Sequence, residues 1–303
     1  MIEVFFLGTG GSVPGSKRRL PLIVMRRKGE IFVFDCGEGA QYAFIKSKLG
    51  VNKPTKIFIT HMHGDHVLGL PGLIMTFSMM GRDKPIQIFG PPGIKLFLSS
   101  IFYTTLYKPS FKIEIFEIRH EGCFLDEEEY FVEAYWGEHV IPSLIFSFNE
   151  KPRPGRFNVK KALALGIPRG PLWKTLQKGQ PVSIDGRVIR PEDVLSEPRP
   201  GIKIVYSGDT APSSKMVKIA EKADLLIHEA TLPDNLASKV FELGHTTPSK
   251  ACQIAKKAGV KKLYLTHISP RIVDEDSFLA SARKIFPNVK VARDDEIIII
   301  KHS

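Results

Sequence analysis

Three histidines and an aspartate lie close together in the run His61-Met62-His63-Gly64-Asp65-His66. The apolar segment 56–60 directly before this run predicts a buried strand. His61 and His63 are two residues apart at the end of that extended segment, so their side chains point the same way. Gly64 then permits a sharp turn that carries the last two polar residues to a neighbouring position. Imidazole and carboxylate ligands together suit Zn²⁺ and similar divalent ions, so the run predicts a metal-dependent hydrolase.

One such cluster does not complete two metal sites, and further ligands are expected at other strand ends. Asp209 follows a predicted strand at 203–206 and a glycine. A carboxylate there can bridge two metals, which lie roughly 3.5–4 Å apart in sites of this kind. The segment 262–266 ends in Thr-His as the first strand does, so His267 mirrors the first histidine of the run. His139, in Trp136-Gly137-Glu138-His139-Val140-Ile141-Pro142-Ser143, is a further candidate ligand.

The elements that position these groups alternate between strands and helices. Apolar segments predict strands at 3–7, 22–25, 31–35, 56–60, 203–206, 225–228 and 262–266, and helical patterns cover 41–49, 69–78 and 249–258. Pro248 and Gly259 stand at the beginning and end of the last helix, which are their preferred positions. The alternation predicts an α/β fold whose sheets are covered by helices, with catalytic groups at strand ends.

Positive charge is concentrated between the two halves of the chain. The net charge is +11. The segment 151–184 carries eight basic residues and no acidic one: Lys151, Arg153, Arg156, Lys160, Lys161, Arg169, Lys174 and Lys178. Such a segment attracts polyanions through phosphate neutralisation, although a solubilising surface is the alternative. The Pro and Gly density of 151–200 predicts a projecting insertion without a packed core, with one short helix at 158–165.

Composition excludes several classes of protein. The first ten residues lack the basic and apolar pattern of a secretory signal. The apolar run 297–300 is far too short to span a bilayer, so no membrane partner is expected. Cys36, Cys123 and Cys252 are odd in number and widely spaced, so we expect reduced thiols in a cytoplasmic protein.

The chain resembles the metallo-β-lactamase superfamily and, within it, the short form of the ribonuclease Z family, the tRNA 3′-processing endonucleases. The resemblance covers nearly the whole length. Besides the histidine run, it rests on Phe6-Leu7-Gly8-Thr9-Gly10-Gly11-Ser12-Val13-Pro14, Asp35-Cys36-Gly37-Glu38-Gly39-Ala40-Gln41, Gly69-Leu70-Pro71-Gly72, Gly90-Pro91-Pro92-Gly93, Ser207-Gly208-Asp209-Thr210, His228-Glu229-Ala230-Thr231, Gly244-His245-Thr246-Thr247 and Leu265-Thr266-His267. It implies a single metallo-β-lactamase domain over 1–303, an αβ/βα four-layer sandwich, with a projecting basic exosite arm inside the insertion 151–200.

The resemblance also implies a site with two metals. One ion would be held by His61, His63 and His139, the second by Asp65, His66 and His267, and Asp209 would bridge them. In such a site a metal hydroxide attacks the phosphodiester, and Asp65 orients or deprotonates that nucleophile. His245, paired with Glu229, would assist departure of the leaving oxygen, with structural support as the alternative for this pair. The ligands fit two Zn²⁺ per chain, and Mn²⁺ or Fe could occupy the same set.

Precursor tRNA is the partner that the resemblance implies, and removal of its 3′ trailer is the implied reaction. RNA contacts are expected from Arg18, Lys160, Lys161, Gly166, Pro168, Arg169, Gly170 and Pro171. Enzymes of this family are homodimers in which the arm reaches across, so a homodimer is expected, without a nucleotide cofactor.

Two segments depart from the family pattern. Arg19 stands where the family has Asn, in a loop that helps to select the cleavage position. Leu144-Ile145-Phe146 stands where the family has Tyr-Gly-Tyr.

Two other functions are compatible with the same metal ligands: a dinuclear phosphodiesterase or esterase for small substrates, and an RNA-binding protein with a vestigial metal site.

Overall fold

The computed structural model describes residues 1–302. Contacts between residues divide the chain into two compact units, Met1–Phe148 with Lys203–Lys301, and Asn149–Ile202 with His302. Within residues 1–302, no helix has the length and apolar character needed to cross a membrane. The three cysteines are free thiols, two of them buried.

The larger unit contains two seven-stranded sheets. The first has the strands β1 (Ile2–Gly8), β2 (Leu22–Arg27), β3 (Glu30–Phe34), β4 (Thr55–Phe58), β5 (Ile86–Gly90), β6 (Ile113–Glu117) and β16 (Glu296–Ile300), in the order β16-β1-β2-β3-β4-β5-β6. The second has β7 (Gly122–Asp126), β8 (Tyr130–Trp136), β9 (Leu144–Glu150), β12 (Lys203–Tyr206), β13 (Leu225–Glu229), β14 (Leu263–Thr266) and β15 (Val289–Val291), in the order β15-β14-β13-β12-β9-β8-β7.

Helices cover the outer faces of these sheets. The helices of the larger unit are α1 (Ala40–Lys46), α2 (Gly64–Val67), α3 (Gly69–Met79), α4 (Ile94–Thr104), α8 (Ser214–Ile219), α9 (Val240–Leu243), α10 (Pro248–Ala258) and α11 (Glu275–Ile285), with a 3-10 turn at Asp234–Lys239. Buried residues of α1, α3 and α4 share one apolar cluster with the first sheet. Buried residues of α8, α10 and α11 share another with the second sheet.

Aromatic rings join the inner faces of the two sheets. Phe58 of β4 lies 5.5 Å from Phe146 of β9, and Phe34 of β3 lies 5.7 Å from Tyr206 of β12, measured between ring centroids. The layers are therefore helix, sheet, sheet and helix, which confirms the predicted four-layer αβ/βα sandwich. The departure at Leu144, Ile145 and Phe146 also has a structural role here, because all three side chains are buried.

Parallel pairing explains why polar groups collect at one edge. β3, β4, β5 and β6 pair in parallel, and so do β12, β13, β14 and β15. The carboxyl ends of parallel neighbours lie at the same edge of a sheet, where ligands bind in open α/β folds. The segments predicted to end in Thr-His are β4 and β14, one in each sheet.

The smaller unit corrects one expectation. Its elements are α5 (Val159–Ala164), α6 (Pro171–Gln177), the hairpin β10 (Val182–Ile184) with β11 (Arg187–Ile189), and α7 (Pro191–Val194). They enclose a small core of Ala162, Ile167, Leu176, Val182, Ile189 and Val194. The expectation that this segment lacks a packed core was wrong, because apolar residues spaced between the Pro and Gly turns meet only after the chain has folded back on itself.

Candidate metal centre

The loops that follow four strands bring the predicted ligands together. His61 and His63 follow β4, His139 follows β8, Asp209 follows β12 and His267 follows β14. Among residues 1–302, three groups have ligand atoms within 4.8 Å of one another: His61, His63, His139 and Asp209; Asp65, His66 and His267; and Asp209, His245 and His267. All seven residues predicted as metal ligands are therefore neighbours, and His245 borders them.

The first group has the spacing of a metal site. His61 Nε2 lies 3.0 Å from His63 Nδ1, and His139 Nε2 lies 3.3 Å from the same nitrogen. Asp209 Oδ2 is 3.7 Å from His61 Nε2. Two ligands of a tetrahedral zinc ion at about 2.1 Å from the metal lie about 3.4 Å apart. The observed separations bracket that value, so a divalent ion fits between these four donors.

The second group shares Asp209 with the first. His267 Nε2 lies 3.2 Å from Asp65 Oδ2 and 3.4 Å from Asp209 Oδ2. His66 Nε2 lies 3.7 Å from Asp65 Oδ2 and 3.5 Å from Asp209 Oδ2. Within residues 1–302, His66 Nε2 and Asp209 Oδ1 are buried without a hydrogen-bond partner. Buried polar atoms are rarely left unpaired, and cations at this position would satisfy both.

Oxygen atoms behind the imidazoles fix which nitrogen faces the cluster. The outer contacts are His66 Nδ1 to Asp35 Oδ2 at 2.8 Å, His61 Nδ1 to Thr60 Oγ1 at 2.9 Å, His267 Nδ1 to Thr231 Oγ1 at 2.7 Å and His139 Nδ1 to the Gly244 carbonyl at 2.7 Å. In a neutral imidazole, an N–H that donates outward leaves the other ring nitrogen unprotonated and aimed inward. This arrangement is typical of histidines that bind metals.

Asp35 is a buried support that sequence reasoning did not single out. Its carboxylate accepts hydrogen bonds from the backbone and hydroxyl of Thr60 at 2.8 and 2.9 Å and from the Tyr206 hydroxyl at 2.8 Å. It adopts φ 57°, an unusual conformation for a residue other than glycine that is maintained only by strong surrounding contacts. The position of Asp35 directly after β3 could have identified it from the sequence. Asp209, which was predicted as a ligand, is likewise a carboxylate that follows a strand.

The substitution Asp35→Asn tests this support. An amide cannot accept from both Thr60 and His66 as the carboxylate does, so we expect metal affinity or activity to fall about 10–100-fold. Metal titration of the variant by calorimetry measures the effect. Asp224→Asn is a matched control, because Asp224 accepts a hydrogen bond from the backbone N–H of Lys203, the first residue of β12, at the opposite end of the strand from Asp209. Equal metal affinity in Asp35→Asn and the control would contradict the assigned role.

His245 is held by a buried carboxylate. Its Nδ1 lies 3.0 Å from Glu229 Oε1, and Glu229 Oε2 accepts hydrogen bonds from the backbone and hydroxyl of Thr231 at 3.0 and 2.7 Å. Glu229 occupies Nδ1, so Nε2 is the nitrogen that can meet a substrate. The His245 side chain is 18% exposed and lines an open cleft with His63, Asp65 and other residues.

Burial and neighbouring charges together set the protonation of the histidine and aspartate side chains in the cluster. Burial lowers the pKa of His61 well below its ordinary value, and the neighbouring His66 lowers it further. Burial also lowers the pKa of His245, but Glu229 and then Asp209 outweigh it and raise this pKa to about 9. Burial raises the pKa of Asp209, but His267 and His66 outweigh it and hold it well below its usual range. Near neutral pH, His61 is thus a neutral candidate ligand, Asp209 is an anionic one, and His245 carries a proton.

The loop after β1 closes one side of the cleft. The Ser12 N–H donates to Asp65 Oδ2 at 2.7 Å. Gly11 passes so close to the His267 ring that a Cβ there would lie 2.4 Å from its Nδ1, so only glycine fits. The loop is therefore in contact with two candidate ligands of the second group.

Arg18 and Arg19, which belong to the same loop, make internal contacts. Arg18 donates to the Thr9 hydroxyl and the Ala292 carbonyl, each at 2.5 Å, and pairs with Glu275. Arg19 pairs with Asp295 at 2.5 Å, and its backbone N–H donates to Asp294. An arginine in place of the family's asparagine thus ties the loop to the chain before β16. The contact between Arg18 and RNA stays a prediction, from a side chain that already has protein partners.

The RNA contacts predicted on the arm lie in the smaller unit. Lys160 and Lys161 belong to α5, and residues 166–171 join α5 to α6. Trp173 of α6 supports this turn, since its indole Nε1 donates to the Ile167 carbonyl at 3.3 Å and its ring lies 5.9 Å from the Arg169 guanidinium. Their role in RNA binding stays a prediction.

The sandwich and the histidine–aspartate cluster at its edge define a metallo-β-lactamase-fold hydrolase. A model described as "Beta-lactamase superfamily domain" matches residues 194–268. A second model, described as "Anti-Pycsar protein Apyc1", matches residues 2–123. YhfI from Bacillus subtilis, a metallo-beta-lactamase fold protein, has 17% sequence identity and a TM-score of 0.69, with 98% of each chain covered.

Proteins with higher sequence identity show which family within this class the chain belongs to. The chain is 44% identical to the ribonuclease Z of Methanosarcina acetivorans over 97% of its own length and 96% of the relative. It is 40% identical to that of Brevibacillus brevis, over 98% and 96% respectively. The crystal structure of human tRNase Z, short form, has a TM-score of 0.73 and 31% identity, with 99% of both chains covered. The chain belongs to the ribonuclease Z family and is a hydrolytic endoribonuclease, which confirms the resemblance drawn from its motifs.

Proposed function

We propose that the chain removes the 3′ trailer of precursor tRNA at this centre, with two Zn²⁺ ions held per chain. The observation that carries the proposal is the position of Asp209 Oδ2, within 3.7 Å of donors from both ligand groups. His61, His63 and His139 would hold one ion, and Asp65, His66 and His267 the other. Two such ions neutralise the oxygens of a phosphodiester and make water a nucleophile near neutral pH.

Asp65 orients the nucleophile in this proposal. Its side chain lines the cleft, and the Ser12 N–H at 2.7 Å and His267 Nε2 at 3.2 Å fix its Oδ2. A carboxylate fixed in this way can accept a proton from the attacking water in a defined direction. The restraint comes from the loop after β1, so this loop takes part in the chemistry as well as in shaping the cleft.

His245 gives a proton to the leaving oxygen. Glu229 orients the ring and stabilises its cationic form, which leaves Nε2 to donate into the cleft. An RNA strand leaves as an alkoxide, which needs that proton, whereas p-nitrophenolate is stable without it. The contribution of Glu229 and His245 to the rate of cleavage therefore depends on whether the leaving group needs a proton.

The substitution His245→Ala is expected to slow precursor cleavage about 100- to 10,000-fold, the usual contribution of a general acid. Bound metal should be retained. Cleavage of bis(p-nitrophenyl) phosphate should fall far less, since its leaving group needs no proton. Steady-state rates on both substrates and metal analysis of the purified variant measure this. Loss of metal, or equal losses on both substrates, would show that His245 supports the site structurally.

Exposed apolar residues support the predicted homodimer. Tyr42 and Ile45 of α1 are 75% and 41% exposed, and Met79 and Met80 at the end of α3 are 83% and 49% exposed. α1 and α3 pack against each other. We infer that these side chains belong to the surface of this unit that the second chain of the homodimer covers.

Comparison of two RNAs tests the proposed substrate. Folded precursor tRNA should be cleaved with a far higher kcat/KM than an unfolded RNA of the same length and composition. Such a preference is expected if folded shape and phosphate positions are recognised. Equal efficiency on both RNAs, or turnover confined to small phosphodiesters, would favour the small-substrate hydrolase.

A further inference from the structure

A basic groove runs between α8 and α10 on the larger unit. It is lined by Ser213, Ser214, Lys218, Lys250, Gln253 and Lys257, with Val217 and Ile254 among its apolar residues. No acidic side chain lines it. Lys250, Ile254 and Lys257 recur at helical spacing, so they share one face of α10.

The groove lysines are not neutralised by neighbouring carboxylates. Nearby, Lys215 pairs with Glu121 and Lys261 with Asp224, each at 2.7 Å. Within residues 1–302, by contrast, the ammonium groups of Lys218, Lys250 and Lys257 take part in no ion pair. Three uncompensated cations beside two hydroxyls make a surface suited to an anionic polymer.

The groove begins beside the metal centre. The Thr246 hydroxyl donates to the Thr210 carbonyl at 2.6 Å, which joins the segment after His245 to the segment after Asp209. These two segments lead directly into α10 and α8, and Asp209 Oδ2 lies 3.8 Å from His245 Nδ1. A strand leaving the cleft past His245 therefore meets this end of the groove.

We propose that this groove binds the phosphodiester backbone of the substrate RNA next to the cleavage site. The proposal rests on the proposed function, since it takes an RNA as the substrate of the centre. Lys250 and Lys257 are two helical turns apart, about 10 Å, so they reach different phosphates. Val217 of α8, a partly exposed apolar residue of the groove, lies against ribose. Contacts of this kind set the register of an RNA and do not read its bases.

The double variant Lys250→Ala/Lys257→Ala tests the groove. A precursor tRNA with a non-cleavable linkage at the scissile position is bound at several KCl concentrations. Each lost phosphate contact lowers the slope of log Kd against log salt by about 0.7–0.9, so a decrease of about 1.5 is expected. The matched control is Lys53→Ala/Lys84→Ala, which removes two exposed lysines from the loops before β4 and β5, at the strand ends away from the centre.

Lys250→Arg/Lys257→Arg should keep the wild-type slope, since it preserves both charges. Turnover of bis(p-nitrophenyl) phosphate should be unchanged in every variant. Equal slopes for the groove pair and the control pair would overturn the groove proposal and leave the proposed function intact. If the wild-type protein neither binds nor cleaves precursor tRNA, the proposed function fails first and the groove proposal falls with it.

Discussion

Replacing Asp209 by alanine is expected to remove bound metal and activity together. The carboxylate is buried and its Oδ2 faces His61, His66 and His267 at 3.4–3.7 Å, so both ligand groups lose their common anion. One electrostatic contact in an active site is already worth about 100- to 1,000-fold in rate, and loss of a shared ligand should exceed 1,000-fold. The loss should appear equally on precursor tRNA and on bis(p-nitrophenyl) phosphate.

Metal content by mass spectrometry and rates on both substrates check this prediction. Asp224→Ala is the control, because Asp224 is also a largely buried carboxylate, with a side chain 12% exposed, but it binds Lys203 and Lys261 instead of histidines. It should retain both metal and activity. An active, metal-loaded Asp209→Ala protein would show that the two groups do not share this ligand.

Deleting residues 155–178 is expected to separate RNA binding from chemistry. The segment carries six basic residues and no acidic one. Loss of their contacts with phosphates should weaken precursor binding about 100-fold or more at physiological salt. Hydrolysis of a small phosphodiester should continue, since every predicted ligand lies outside the segment.

The deletion also removes Ala162, Ile167 and Leu176 from the core of the smaller unit. A triple variant, Lys160→Ala/Lys161→Ala/Arg169→Ala, keeps that core and removes charge only. Like the deletion, it should weaken precursor binding. It should also lower the slope of log Kd against log salt relative to the wild-type protein. Equal losses on RNA and on the small substrate, in both variants, would argue against an RNA-binding arm.

His61, Asp209 and His267 could be predicted from sequence as candidate ligands because each lies within three residues of the end of a strand. A short apolar segment that ends in His or in Gly-Asp locates the strand and its polar end together, as at His61, Asp209 and His267. Parallel pairing then brings these ends to one edge. The seven strands predicted from apolar segments are present, with boundaries that differ by one or two residues, as at β4, whereas strands such as β5 to β9 were not predicted.

The supports of those ligands could not be predicted because they come from distant parts of the chain. Thr231 binds His267, and Asp35 meets Tyr206 of the other sheet. The two residues of each pair are far apart in the sequence, so no local pattern of residues predicts their contact. The arm shows the same limit, because Ile167 and Val182 are separated by turns rich in Gly and share a core only in the folded unit.

Arg18 shows what the charge of a residue leaves undetermined. The resemblance predicts a contact between Arg18 and RNA, which stays a prediction, and the guanidinium of Arg18 also binds Thr9, Ala292 and Glu275. Charge in a sequence does not reveal which cations are already paired. The uncompensated lysines of the groove between α8 and α10 became distinguishable only when their partners could be examined.

The most direct measurement maps the cut made in a precursor tRNA by the zinc-loaded protein. We expect one cut after the discriminator region, which releases the intact trailer, and no cut after treatment with a chelator. Activity should return when zinc is added back. Cleavage that persists without metal, cuts scattered along the RNA, or no cleavage of the precursor would contradict a metal-dependent tRNA 3′ endonuclease.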